Sequence, residues 1–102
     1  PTEGKRWLDM VAEEGIVYVG KKPAINYVMA TTLQINRGVK KIVLKARGRS
    51  ISRAVDVAEI TRLKYFPGKI KITDLRTGTE EIIDENGSRR DISVIEIELT
   101  QV

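Results

Sequence analysis

Two short apolar runs, Ile16-Val17-Tyr18-Val19 and Ile42-Val43-Leu44, constrain this chain more than anything else in it. Both are continuous rather than alternating, so both read as buried strands. Each opens into a basic, glycine-bearing turn: Gly20-Lys21-Lys22-Pro23 after the first, Lys45-Ala46-Arg47-Gly48-Arg49-Ser50 after the second. Each turn then opens into a helical pattern. Strand, helix and strand in this order form a βαβ unit with parallel strands and a right-handed crossover. Both turns then share one sheet edge, at the C-terminal ends of the strands, where open α/β sheets bind ligands.

The first helix is expected from Pro23, whose missing N–H costs nothing at a helix start, to Asn36-Arg37-Gly38, with Gly38 as a left-handed cap. Ile25, Val28, Met29, Thr32 and Leu33 mark its expected apolar stripe. Ser50 is the expected N-cap of the second helix. Ile51, Ala54, Val55, Ala58 and Arg62 mark one face, which Val57, Ile60 and Leu63 widen, and Pro67-Gly68 ends it. The last third changes period. Ile70 and Ile72 alternate with polar residues, as do Ile95, Ile97 and Leu99, and Asn86-Gly87 lies between them as a hairpin signal. Phase slips at Asp74-Leu75 and Val94-Ile95 predict two bulges, and the hairpin is expected to project as an arm with Arg76, Arg89 and Arg90 toward its tip. The fold class is α/β, an α+β two-layer sandwich. Its order is β-α-β-α-β-β, with a four-stranded mixed sheet and two helices on one face. The open sheet face and Tyr65-Phe66 at a helix end suggest an oligomer interface. Residues 15–102 are read as one domain. Residues 1–14, with Trp7, Leu8 and Val11 at helical spacing, form an N-terminal extension.

Charge bears on function. The formal net charge of +4 is unevenly placed. Residues 21–65 hold eleven Lys/Arg against only Asp56 and Glu59, while both flanking stretches are net acidic. That asymmetry suggests one cationic face for a polyanion; the plainer reading is a solvated, ion-pair-rich surface. Arg47 and Arg49 flanking Gly48 favour the first. Cations are disfavoured at a helix N-terminus, and a bound anion relieves the conflict. With no Cys and no His, disulfides, thiolate catalysis and the commonest general base and metal ligand are excluded. No cofactor or metal is expected. The acids Glu80, Glu81, Asp84 and Glu85 read as solubilising hairpin residues rather than metal ligands. Gly20-Lys21-Lys22 lacks the spacing of a Walker A loop. An enzyme acting on a phosphorylated substrate is left with Lys and carboxylates alone, and only Asp56 stands near the basic turns. Tyr18 and Tyr27 read as core or interface residues, and five aromatics make a poor supply of base-stacking platforms. No apolar run suits a membrane span, and the N-terminal stretch is too acidic for a signal peptide, so an intracellular location is expected.

The runs Gly20-Lys21-Lys22-Pro23-Ala24-Ile25-Asn26-Tyr27-Val28 and Ile42-Val43-Leu44-Lys45-Ala46-Arg47-Gly48-Arg49-Ser50-Ile51-Ser52-Arg53-Ala54-Val55-Asp56 resemble the Alba family of archaeal chromatin proteins, over roughly residues 15–100. The resemblance implies a homodimer that coats and compacts double-stranded DNA with little sequence preference and also binds RNA, in the cytoplasm at the chromosome. An alternative role is as an RNA-binding part of a particle like RNase P. It implies that Lys21 and Lys22 are the central nucleic-acid contacts and that Arg47, Arg49 and Arg53 line the phosphate-facing surface. Asn26, Tyr27 and Lys45 would belong to that surface, and Arg89 and Arg90 would reach toward the minor groove from the arm. Lys21 matches a lysine acetylated in some relatives, which implies an acetylase and a deacetylase as partners. Dimers would pair side by side into arrays through Asn36, Tyr65 and Phe66; the family usually has Phe where this chain has Tyr65.

Overall fold

A computed structural model describes residues 14–102. Strand β1 is Glu14–Tyr18, helix α1 Ala24–Asn36, strand β2 Lys41–Arg47, helix α2 Ile51–Ile60, strand β3 Ile70–Ile83 and strand β4 Arg89–Gln101. The sheet order is β1-β2-β4-β3. β1 and β2 are parallel, whereas β2–β4 and β3–β4 are antiparallel. This is the expected α+β fold, with four mixed strands and two helices. Glu14 opens β1 and so belongs to the sheet, not to the N-terminal extension. Trp7, Leu8 and Val11 lie outside the described residues.

The core is a single apolar layer between sheet and helices. Ile42, Leu44 and Ala46 of β2 meet Leu99, Ile97 and Ile95 of β4 in register, and all six are buried. Val28 of α1 and Val57 of α2 press onto them, both fully buried. Burying a Leu or Ile side chain completely is worth about 1.5–3 kcal/mol relative to leaving it exposed, so these residues fix the layer.

Helix α1 is rotated from its expected stripe. Val28, Thr31 and Ile35 are its buried residues, whereas Ile25, Met29 and Leu33 are exposed. Thr31 explains the rotation, because its hydroxyl donates to the Tyr27 carbonyl at 2.8 Å and is thereby satisfied without water. A residue polar on paper thus sits at the centre of the buried face. On α2 the same shift leaves Val55 exposed and buries Ala54, Val57 and Ala58. That helix widens into a π-turn over Thr61–Tyr65, closed by Phe66 N–H donating to the Thr61 carbonyl at 3.0 Å. Leu63 and Tyr65 point outward from the turn, while Phe66 is half-buried against the core.

The helix starts differ in detail from expectation. Pro23 is the N-cap of α1 rather than its first turn residue. Ser50 makes no side-chain cap; it closes a short 3-10 turn, Gly48–Ser50, that leads into α2. Gly38 does adopt the left-handed conformation, with φ of 94°.

One bulge is present, not two. The β3–β4 register shifts between Ile72 and Asp74 and then runs unbroken to Ile83↔Arg89. The extra residue, Thr73, turns to the open face, where its hydroxyl donates to Glu98 Oε1 at 2.8 Å and lies 2.6 Å from the Thr100 hydroxyl. Near Val94 the apolar residues change face without any bulge, because there the hairpin runs out from under the helices. β2 accompanies β4 only as far as Arg47↔Val94; beyond it the hairpin is two-stranded and projects as the expected arm. Its tip is built by Asp84, whose Oδ1 accepts from Asn86 N–H and Ser88 N–H, both at 3.0 Å. That acid closes the turn, and Glu80 and Glu81 are paired with Arg47 and Arg89.

Candidate nucleic-acid interface

The two basic turns adjoin. β1 and β2 are neighbouring parallel strands whose C-terminal ends are Tyr18 and Arg47. Val19 N–H extends the ladder by donating to the Lys45 carbonyl at 2.8 Å. Both helices run back against these strands, so both helix N-termini face the same edge. Arg53, on the first turns of α2, reaches across and donates from Nη1 to the Gly20 carbonyl at 2.6 Å. A half-buried guanidinium thus ties the second turn to the first. The first turn is braced from its own helix as well. Lys22 N–H donates to the Tyr27 hydroxyl at 3.0 Å, which turns Tyr27 into a strut and withdraws that amide from any outside anion. Asn26 is exposed on the first turn of α1.

Lys45 and Arg47 sit elsewhere than a turn reading expects. Both belong to β2, where period-two alternation places them with Lys41 and Val43 on the sheet face away from the helices. The opposing residues on β4 and β3 there are acids. Lys45 Nζ is 3.5 Å from Glu96 Oε2, Arg47 Nη1 is 3.8 Å from Glu80 Oε1, and Lys41 Nζ is 3.9 Å from Glu98 Oε1. Arg76, expected near the arm tip, lies instead inside this ladder, 2.8 Å from both Glu96 and Asp74. The hydrogen bond from Arg76, helped by the charge of Lys45, holds the Glu96 carboxyl below its ordinary value of 4.5. The same bond to Glu96, with Asp74 adding, pushes the Arg76 guanidinium up. Exposed pairs of this kind contribute little to stability, because water screens them. Their larger effect is on the field, since acids from the last third of the chain neutralise Lys45 and Arg47 in place.

Lys21, Lys22 and Arg49 are therefore the cations that carry the edge. All three are exposed, and none has a carboxylate within ion-pair distance among the described residues. Gly48, at φ of 58°, ends β2 and opens the 3-10 turn that carries Arg49, so Arg49 leaves the strand instead of following Arg47 along the open face. On the arm, Arg89 is 3.6 Å from Glu81, whereas Arg90 is exposed with no such partner among the described residues. Asn36 and Tyr65 are exposed at helix ends on the far side of the molecule from the basic turns.

Sequence reasoning missed the acid ladder, because its cross-strand pairs join residues 20 to 57 positions apart. The usable signal was Glu96 and Glu98 alternating within the last strand. Tyr18, read as a core or interface residue, is 72% exposed beside Lys45 and so lies outside the core.

A family model described as Alba matches residues 15–79. A protein of Thermoplasma volcanium called DNA/RNA-binding protein Alba is 50% identical over 91 residues, covering 89% of this chain and all of that protein. A protein of the same description from Nanoarchaeum equitans is 46% identical over 86 residues, covering 83% of this chain and 96% of that one. The solved structure of Alba from Thermoplasma volcanium superposes with a TM-score of 0.78 at 49% identity, over 83% of this chain and 98% of that chain.

Proposed function

This chain belongs to the Alba family, and from that premise we propose that it binds double-stranded DNA without sequence preference, and RNA as well. The bond between Arg53 and the Gly20 carbonyl carries the reading, because it ties the Lys21-Lys22 turn to the helix that follows Arg49, making one cationic edge that no carboxylate among the described residues compensates. Phosphates spaced along a backbone match three such cations, while a buried pocket for one small anion does not form there. Affinity then comes from phosphate contacts and counterion release, and base readout is weak because the edge offers point charges. Arg90 on the arm extends the contact toward a groove. The edge presents cations without a nucleophile and base in partnership, which fits a binding protein better than an enzyme.

Compaction of DNA requires more than one edge per particle. Ile72 and Leu75 on the helix side of β3 are 38% and 53% exposed, beyond the cover of either helix. A second copy seated there would bring two basic edges onto one duplex. Asn36 and Tyr65 are available for side-by-side contacts between dimers. Acetylation of Lys21 would remove one of three charges on the edge and weaken binding accordingly.

The test is Lys21→Ala with Lys22→Ala, titrated against arbitrary duplex DNA across a salt series. Two lost phosphate contacts flatten the log K against log[salt] slope by about 1.8 and lower affinity roughly 10- to 100-fold near 0.1 M salt. Unchanged affinity removes the reading. Competition between duplex DNA and structured RNA ranks the two partners and decides whether a ribonucleoprotein role is the main one.

A further inference from the structure

The open face of the sheet holds a cleft of about 530 Å³ where β1 and β2 end and the arm begins. It adjoins the basic edge, since Arg47 lines it and Gly48-Arg49 follow directly. Its walls include Tyr18, Lys45, Arg47, Glu80, Val94 and Glu96. Neither the phosphate reading nor the core accounts for this set. A tyrosine 72% exposed, sharing the cleft's lining with two cations, adds little to folding at that position. Val94 gives an apolar floor. Across the cleft from Tyr18 stand two carboxylates, which only accept hydrogen bonds.

We propose that this cleft takes one unpaired guanine nucleotide at the end of, or beside, a bound duplex; the proposal rests on the nucleic-acid reading and sharpens it. Tyr18 supplies a face for the base, and Arg47 with Lys45 receives its phosphate. Glu80 accepts from the base edge. Among the four bases guanine presents two neighbouring N–H donors, on N1 and N2, which match the two oxygens of a single carboxylate. The existing pairs make the exchange inexpensive. Arg47 and Glu80 hold each other at 3.8 Å, and the nucleotide offers each a replacement, phosphate for the guanidinium and N–H donors for the carboxylate. No charge is left without a partner when the ligand enters. A nucleotide without base donors would free Glu80 opposite its own phosphate, which disfavours it.

The experiment measures the full chain against blunt duplex RNA and the same duplex carrying a one-nucleotide overhang of each base. The guanine overhang binds about 5- to 10-fold tighter than blunt, the scale of one stacked base. Excess GMP erases that advantage and leaves the blunt duplex bound. Tyr18→Ala abolishes the advantage without changing blunt affinity, and Tyr18→Phe retains it. Glu80→Gln equalises the four overhangs. Equal affinity for guanine-overhang and blunt duplex, or an advantage that survives Tyr18→Ala, overturns the proposal. Loss of blunt binding by the unaltered protein is a different result, and it sinks the phosphate reading first.

Discussion

Arg53 separates two roles that the same residue could play, as a phosphate contact or as a structural tie. Its Nη1 sits 2.6 Å from the Gly20 carbonyl, and the side chain is half-buried. A hydrogen bond from a charged donor contributes about 1.5–3 kcal/mol, and the lower end applies here because Gly20 is only half-buried and water can replace part of the bond. Arg53→Ala is therefore expected to cost about 1.5 kcal/mol, which for a domain of this size lowers Tm by roughly 6–12 °C. Thermal melts at fixed protein concentration measure that shift, and a DNA titration over a salt series accompanies them. A tie acts by holding the Lys21-Lys22 turn beside Arg49, so its loss weakens binding while the salt slope stays near that of the unaltered protein. Arg49→Ala is the contrasting control, with Tm unchanged and the slope flattened by about 0.9, one phosphate contact. An Arg53→Ala protein that melts normally and loses a full unit of slope would refute the strut argument and make Arg53 an ordinary phosphate ligand.

Gly48→Ala places a methyl 2.9 Å from Ile92 Cδ1 at φ of 58°. The left-handed cost of about 1–2 kcal/mol, partly offset by lower unfolded-state entropy, gives a net loss near 1 kcal/mol in urea denaturation; Gly48→Asn should lose less. Leu44→Ala empties the centre of the fully buried β2–β4 layer and is expected to cost about 2–5 kcal/mol by the same assay, with m unchanged. The depressed carboxyl of Glu96 stays charged in the folded protein at pH values where the unfolded chain has begun to take up protons. Its contribution is thus complete above the ordinary value of 4.5 and is lost as pH falls through the lower folded value. Glu96→Gln should reduce the dependence of Tm on pH within that acidic window and leave it unaltered near neutrality.

Local pattern carried most of the fold. The apolar runs at Ile16–Val19 and Ile42–Leu44, Pro23 and Gly38 at the ends of α1, and the alternation after Ile70 each state their own conformation within a few residues. The turns at Gly20 and Gly48 were legible as neighbours for the same reason, because one crossover helix between parallel strands leaves little choice of edge. The rotation of α1 was not legible. Thr31 counts as polar until its hydroxyl is seen bonded to the Tyr27 carbonyl, and the stripes centred on Met29 and on Val28 have the same period.

The chain by itself determined that an excess of Lys and Arg would gather at one edge of a two-layer sheet, since charge content and strand–turn–helix order are local properties. Which of those cations face outward uncompensated was decided only when β4 came to lie between β2 and β3. That pairing sets Glu96 against Lys45 and brings Glu80 within reach of Arg47, whereas Lys21, Lys22 and Arg49 face no carboxylate at ion-pair distance among the described residues. Coulomb attraction depends on distance through space, and distance between residues remote along a chain exists only in the folded sheet.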